Sequence, residues 1–236
     1  MKIAAVADIH APLYIKIFEE SLKRLLPLKD KVSFLLLAGD IVDGGKFDQL
    51  ENVKVLLDKV DVPILGCFGN NEYEDKEDLV KEKLSNVKFL NDELFETNVE
   101  GVKVNVVGSR GVLDEPTFWQ KKNVPGIDEI YRKRILKLHK IADECKGDIK
   151  ILMLHYPPTL KILKGENPRF LKQMGSNRLE DLVPKFDAVV TGHAHRGQPF
   201  AEVFGVPVYN VSLPLRGDIV ILNAEKGRGL ERFLSL

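Results

Sequence analysis

The sequence predicts an α/β fold in which two stacked β-sheets are flanked by helices. The first half alternates short, continuous apolar runs with amphipathic stretches, the pattern of right-handed βαβ crossovers and a parallel sheet. The last third is a series of short apolar segments separated by Gly and Asn turns, the pattern of antiparallel strands. Five apolar runs end in Asp, Asn or His. In open α/β sheets, ligands bind at such carboxyl ends.

Taken in order, Lys2–Ala7 reads as a buried strand that leaves through Asp8-Ile9-His10. Tyr14–Leu26 puts Ile15, Phe18, Leu22, Leu25 and Leu26 on one helical face before Pro27. Val32–Ala38 is the second strand. Gly39 then lets the backbone turn, so that Asp40 is presented at the strand's carboxyl end. Phe47–Val60 is helical, with Leu50, Val53, Leu56, Leu57 and Val60 inward. Pro63–Phe68 is the third strand, left by Gly69-Asn70-Asn71-Glu72, and Glu77–Leu84 is the next helix. Val87–Leu90, Leu94–Thr97 and Val102–Gly108 are short strands that close a sheet edge or open a second sheet.

Ser109–Gly126 has no clear period, carries Phe118 and Trp119, and reads as a functional loop. Ile127–Cys145 is a long amphipathic helix, and His155 follows the strand Ile149–Leu154. Thr159–Arg178 is irregular. Asp187–Thr191 is a strand that leads into Gly192-His193-Ala194-His195. Phe200–Val203, Val206–Val211, Gly217–Leu222 and Leu230–Leu234 read as antiparallel strands, with turns at Gly205, Asn223 and Gly227-Arg228-Gly229. Without an internal repeat or a Pro/Gly/Ser-rich linker, residues 1–236 read as one domain.

Composition narrows the function classes. Lys+Arg and Asp+Glu are equal at 35 each, so net charge gives no signal for a nucleic-acid or membrane partner. Two cysteines make neither a disulfide framework nor a thiolate cluster, and a reduced, cytoplasmic setting is expected. The N-terminal apolar run is too short for a signal peptide, and no run is long enough to span a bilayer. Only five histidines occur, and four of them (His10, His155, His193 and His195) follow apolar runs. His139 lies mid-helix without companion donors and is expected to be structural.

The donors that emerge at strand ends are Asp8, His10, Asp40, Asn70, His155, His193 and His195. Asp8 and His10, two apart in extended backbone, would point to one side and grip one ion. Imidazole and oxygen donors without thiolate suit Mn, Fe, Co, Ni or Zn. Seven donors are too many for one four-coordinate ion; they suffice for two that share Asp40 and a hydroxide. Two divalent ions would leave a net positive site, ready for an anion such as phosphate. Taken singly, each residue has a plain reading as a turn residue or a satisfied histidine; the combination does not.

Asp8-x-His10, Gly39-Asp40-x-x-Asp43, Gly69-Asn70-x-Glu72, His155 and Gly192-His193-x-His195 occur in that order. Together they resemble the signature of the calcineurin-like metallophosphoesterase family, over residues 8 to 195. The resemblance implies a four-layer α-β-β-α sandwich of two mixed sheets flanked by helices. It implies two divalent metal ions, manganese first among the choices, one held by Asp8, His10, Asp40 and His195 and the other by Asp40, Asn70, His155 and His193. The implied activity is phosphoester hydrolysis, with a metal-bridging hydroxide attacking phosphorus in line. A phosphodiesterase is preferred to a phosphomonoesterase in this reading.

The chain departs from the family pattern at Asn71, where many members carry a histidine that binds phosphate and protonates the leaving group with the help of a carboxylate at the position of Asp43. Asn71 can donate a hydrogen bond to phosphate but is no general acid near neutral pH. Asn71 and Asp43 are therefore the expected catalytic positions, and Asn71 and Arg196 the expected substrate contacts, with Arg110 close by. Phe118 and Trp119 are placed to stack on a substrate ring or to cap their loop over the core. The expected partner is a phosphoester, which includes nucleotides; association of the chain with itself is left open. Three rivals stand beside this reading: a protein phosphatase, a non-catalytic metal-binding scaffold of the same fold, and a nuclease, for which a basic groove is lacking.

Overall fold

The computed structural model describes residues 1–225 and 229–232. Its twelve described strands form two six-stranded sheets. The first has the order β12-β11-β1-β2-β3-β4 and is built from Gly229–Arg232, Val220–Glu225, Lys2–Val6, Val32–Ala38, Ile64–Cys67 and Val87–Phe89. The second has the order β5-β6-β7-β8-β10-β9 and is built from Glu93–Val99, Val102–Ser109, Ile149–Leu154, Ala188–Thr191, Val206–Asn210 and Phe200–Val203. Strands β1 to β4 are mutually parallel, as are β6, β7, β8 and β10, whereas β5, β9, β11 and β12 pair antiparallel.

The continuous apolar runs are explained by strands buried on both faces. In β2, Phe34, Leu36 and Ala38 enter the core between the sheets. The alternate residues Val32, Leu35 and Leu37 enter the core under α1 (Ile15–Leu25) and α2 (Leu50–Leu57). In β7, Ile149, Ile151 and Met153 meet the same inter-sheet core, while Leu152 and Leu154 pack beneath α5 (Ile127–Glu144). Helix α3 (Glu77–Lys83) completes the first outer layer through Val80. The result is the expected four-layer α-β-β-α sandwich.

Four details differ from the sequence reading. The stretch over 47–60 divides into a 3₁₀ turn at Phe47–Gln49 and the helix α2. Residues 109–126 contain a short helix, α4 (Phe118–Asn123), whose N-terminus is closed by a capping box between Thr117 and Gln120. Within Thr159–Arg178 the chain forms 3₁₀ helices at Leu160–Leu163 and Pro168–Gln173, and a third begins at Asn177.

The tail strands, finally, do not make one antiparallel set. β10 lies parallel to β8 in the second sheet, and after α6 (Leu213–Arg216) the chain crosses back so that β11 joins β1. An isolated bridge between Ala7 and Ser212, with Ala7 N–H donating to Val211 O at 3.0 Å, fastens that crossover to the first strand. The turn expected at Gly227-Arg228-Gly229 falls largely on residues 226–228, outside the described residues. Among the described residues no helix is long and apolar enough to cross a membrane.

This topology positions the site. The carboxyl ends of β1, β2 and β3 lie side by side on one sheet, and those of β7 and β8 lie side by side on the other.

Candidate functional site

Each strand end delivers its donor through a tight backbone turn. Asp8, His10, Asp40 and His193 all have positive φ (60°, 41°, 52° and 68°), a region that side-chain-bearing residues rarely adopt. Such strain is retained where the surroundings over-determine it, commonly at functional sites. Gly39 precedes Asp40 with φ 84°, and a Cβ there would lie 2.7 Å from both Gly69 N and His155 Nδ1. At Gly69 a Cβ would meet the Asp40 carboxylate itself. The glycines before Asp40 and Asn70 therefore make room for the neighbouring donor loops.

The side chains fall into two groups, Asp8 with His10 and His195, and Asp40 with His155 and His193. Asp8 Oδ2 is anchored by His193 N–H at 2.9 Å. Its Oδ1 is buried, lacks a hydrogen-bond partner, and faces His195 Nε2 at 3.5 Å and His10 Nε2 at 3.7 Å. The two imidazole Nε2 atoms stand 3.2 Å apart.

In the second group His155 Nδ1 lies 3.0 Å from Ala38 O. A carbonyl only accepts, so Nδ1 carries the proton and neutral His155 presents a bare Nε2 lone pair. That lone pair meets Asn70 Oδ1 at 3.0 Å and Asp40 Oδ2 at 3.5 Å. Asp40 Oδ2 is also 3.6 Å from His10 Nε2, so it lies between the two groups. Converging lone pairs, with a buried carboxylate oxygen left unpaired, are the arrangement that a cation stabilises. The donor set fits divalent metal ions on these grounds.

The electrostatics agree. Burial and the neighbouring His155 push the His193 imidazole down to about 3, so it is neutral at physiological pH. Burial likewise lowers His10 and His155. Burial and the Asp8 charge push Asp40 up to about 6. For Asp8, burial acts upward, but the His195 contact and the surrounding imidazoles prevail and hold it at about 2. His195 is raised because its contact with Asp8 outweighs burial.

The family model for calcineurin-like phosphoesterases matches residues 1–197. The chain belongs to the calcineurin-like phosphoesterase family. It is a metal-dependent phosphoesterase. A probable glycerophosphodiester phosphodiesterase, GpdQ, of Arcobacter nitrofigilis is 26% identical over 226 residues, covering 89% of this chain and 74% of that protein. Two solved structures share the fold. The GAP50 anchor of the Plasmodium inner membrane complex is 12% identical with a TM-score of 0.63, over 94% of this chain and 80% of its own. The NAD nucleotidase NadN of Haemophilus influenzae is 15% identical with a TM-score of 0.63, over 99% of this chain and 49% of its own.

Asn71 is engaged locally. Its backbone N–H donates to Asp40 Oδ1 at 2.8 Å, its Nδ2 donates to Asp40 Oδ2 at 2.5 Å, and its Oδ1 accepts from Gly44 N–H at 2.9 Å. Asp43, next to the Gly44 that Asn71 binds, pairs with Lys46 at 2.7 Å and faces His10 Nδ1 at 3.8 Å. Arg196 is exposed at the mouth of a cavity of about 340 Å³ that the donors also line. Arg110 is buried and committed to Glu72 O, Glu74 and Glu77. Asn210, at the end of β10, braces the His193–His195 loop by donating to Ala194 O at 2.7 Å. His139 lies away from the donors, 3.5 Å from Asp181.

Glu72 is the functional residue whose role the sequence reading did not assign. Its carboxylate is fully buried and accepts four backbone N–H bonds, from Asp40 (2.9 Å), Ile41 (2.7 Å), Val42 (3.2 Å) and Gly69 (2.8 Å). It ties the Asp40 turn to the Asn70 turn. Glu72→Gln keeps the shape but turns an NH₂ group toward amide donors. With two bonds lost, unfolding in denaturant should show a loss of about 2 kcal/mol or more. An unchanged midpoint would contradict this role.

Proposed function

We propose that this chain is a dinuclear metal-dependent phosphodiesterase. The observation that carries the proposal is the position of Asp40 Oδ2, within 3.6 Å of His10 Nε2 and 3.5 Å of His155 Nε2, between the two donor groups. Asp8, His10, Asp40 and His195 would hold one ion, and Asp40, Asn70, His155 and His193 the other. Two divalent ions bound there supply Lewis acidity and a hydroxide nucleophile.

The chain's own residues do the rest. The imidazoles of His10, His155 and His193, lowered by burial, donate lone pairs without adding charge. Asn71 orients Asp40 and, at the lip of the cavity, presents an amide toward phosphate. Arg196 adds a positive charge at the mouth. Asp43 places a carboxylate 3.8 Å from His10 Nδ1. The carbonyls, carboxylates and imidazoles admit Mn, Fe, Co, Ni or Zn, and manganese is the proposed occupant because oxygen donors recur in both groups. The donors come from both sheets, which supports reading the chain as one functional domain. Both cysteines are free and buried, which supports a reduced, cytoplasmic setting.

A diester is favoured because cavities of about 340 and 650 Å³ share Asn70, Asn71 and His193, leaving room for an ester substituent on either side. The resemblance to a probable glycerophosphodiester phosphodiesterase points the same way.

Metal analysis after loading with Mn should find two ions per chain. Asp40→Asn should weaken both together, whereas Asp8→Asn or His155→Ala should chiefly loosen one. One ion in the wild type, or loss of a single ion in Asp40→Asn, would contradict the shared carboxylate. With no general acid at position 71, aryl esters should be turned over far faster than alkyl esters. Asn71→His should then improve alkyl esters by about tenfold more than aryl esters. An equal effect on both classes would show that leaving-group protonation is not limited at this position.

A further inference from the structure

The cavity of about 650 Å³ beside the donors is of the size that ligand pockets take. We propose that it is a nucleoside pocket, in which Trp119 and Tyr73 stack on the base of one ester substituent. This rests on the phosphoesterase reading above and names the substrate class.

Three features point to a flat, neutral heterocycle. The first is the aromatic wall. Trp119 is 55% exposed, yet its ring lies 6.0 Å from that of Tyr73 at an interplanar angle of 23°. An exposed indole held in place offers a ready stacking face. Its position is fixed by α4, whose capping-box Gln120 also donates to the Tyr156 hydroxyl at 3.3 Å. The Tyr156 ring in turn packs edge-on to His193 at 4.9 Å. The aromatic wall is thus tied to a donor residue.

The second feature is the floor. Arg110 Nε and the Tyr131 hydroxyl, on residues 7% and 1% exposed, line the pocket without a hydrogen-bond partner. Ring nitrogens and carbonyls of a base are acceptors for both, directly or through one water. The third feature is charge. Arg110 is balanced by Glu74 and Glu77, and Arg134 by Asp92. The wall therefore offers no free cation to a second phosphate.

The test compares two diesters of equal charge, adenosine 5′-(methyl phosphate) and glycerol 3-(methyl phosphate), on the metal-loaded protein, with products separated by chromatography. The nucleoside ester should have a kcat/KM about tenfold higher or more, and Trp119→Ala should bring the ratio towards one. Equal values in the wild type, or a ratio untouched by Trp119→Ala, would overturn the pocket. Trp119 is the only tryptophan of the chain, so its emission gives a second readout that needs no turnover. Adenosine should quench it saturably and glycerol should not; no saturable quenching by adenosine overturns the proposal. Quenching with neither ester hydrolysed under any metal would instead contradict the phosphoesterase reading and leave the pocket standing.

Discussion

Two carboxylates, Asp8 and Asp40, are buried within reach of four imidazoles. That constraint governs the rest of the structure. An ion taken from water into a protein interior costs on the order of several kcal/mol unless charge and hydrogen bonds compensate it. Here backbone N–H groups satisfy one oxygen of each carboxylate, from His193 for Asp8 and from Asn71 for Asp40. Asp8 Oδ1 has no donor and faces His10 and His195, while Asp40 Oδ2 accepts from the Asn71 side chain and faces His10 and His155. Burial keeps His10, His155 and His193 from balancing the charge, and the buried Arg110 is committed to glutamates. Bound cations complete the balance, which is why the site and its metals belong to one electrostatic unit.

Holding lone pairs against one another requires rigid loops, and the sandwich supplies them. Parallel strands of both sheets end at the same edge, over a shared apolar core. The exit turns of β1, β2 and β8 are strained at the donors themselves, at Asp8, His10, Asp40 and His193. The strain is sustained by connections between turns: Glu72 spans the Asp40 and Asn70 turns, Asp8 holds His193, and Asn210 holds Ala194. A distortion of one turn therefore reaches the donors of another.

Much of this was legible in the sequence for a physical reason. Strands covered on both faces need continuous apolar runs, and a donor placed where such a run stops can only emerge at a strand end. The tail was less legible. Val206–Asn210 and Val220–Glu225 look alike as sequence, and only their pairing, β10 with β8 and β11 with β1, assigns them to different sheets. Helix α4 had a local signal, Thr117 followed by Gln120, which the irregular apolar spacing around it obscured. The engagement of Asn71 with Asp40 and Gly44 had no signal, because one partner is a backbone amide and the other lies 31 residues away. The importance of Glu72 was hidden likewise, since its partners are backbone amides and carry no residue identity.

The central claim is that one carboxylate, Asp40, joins two metal sites into one centre. Electron paramagnetic resonance of the protein loaded with Mn(II) tests it most directly. The account predicts the spectrum of a spin-coupled pair, replaced by that of isolated ions in Asp40→Asn. A wild-type spectrum of isolated ions only, at full metal loading, would contradict it.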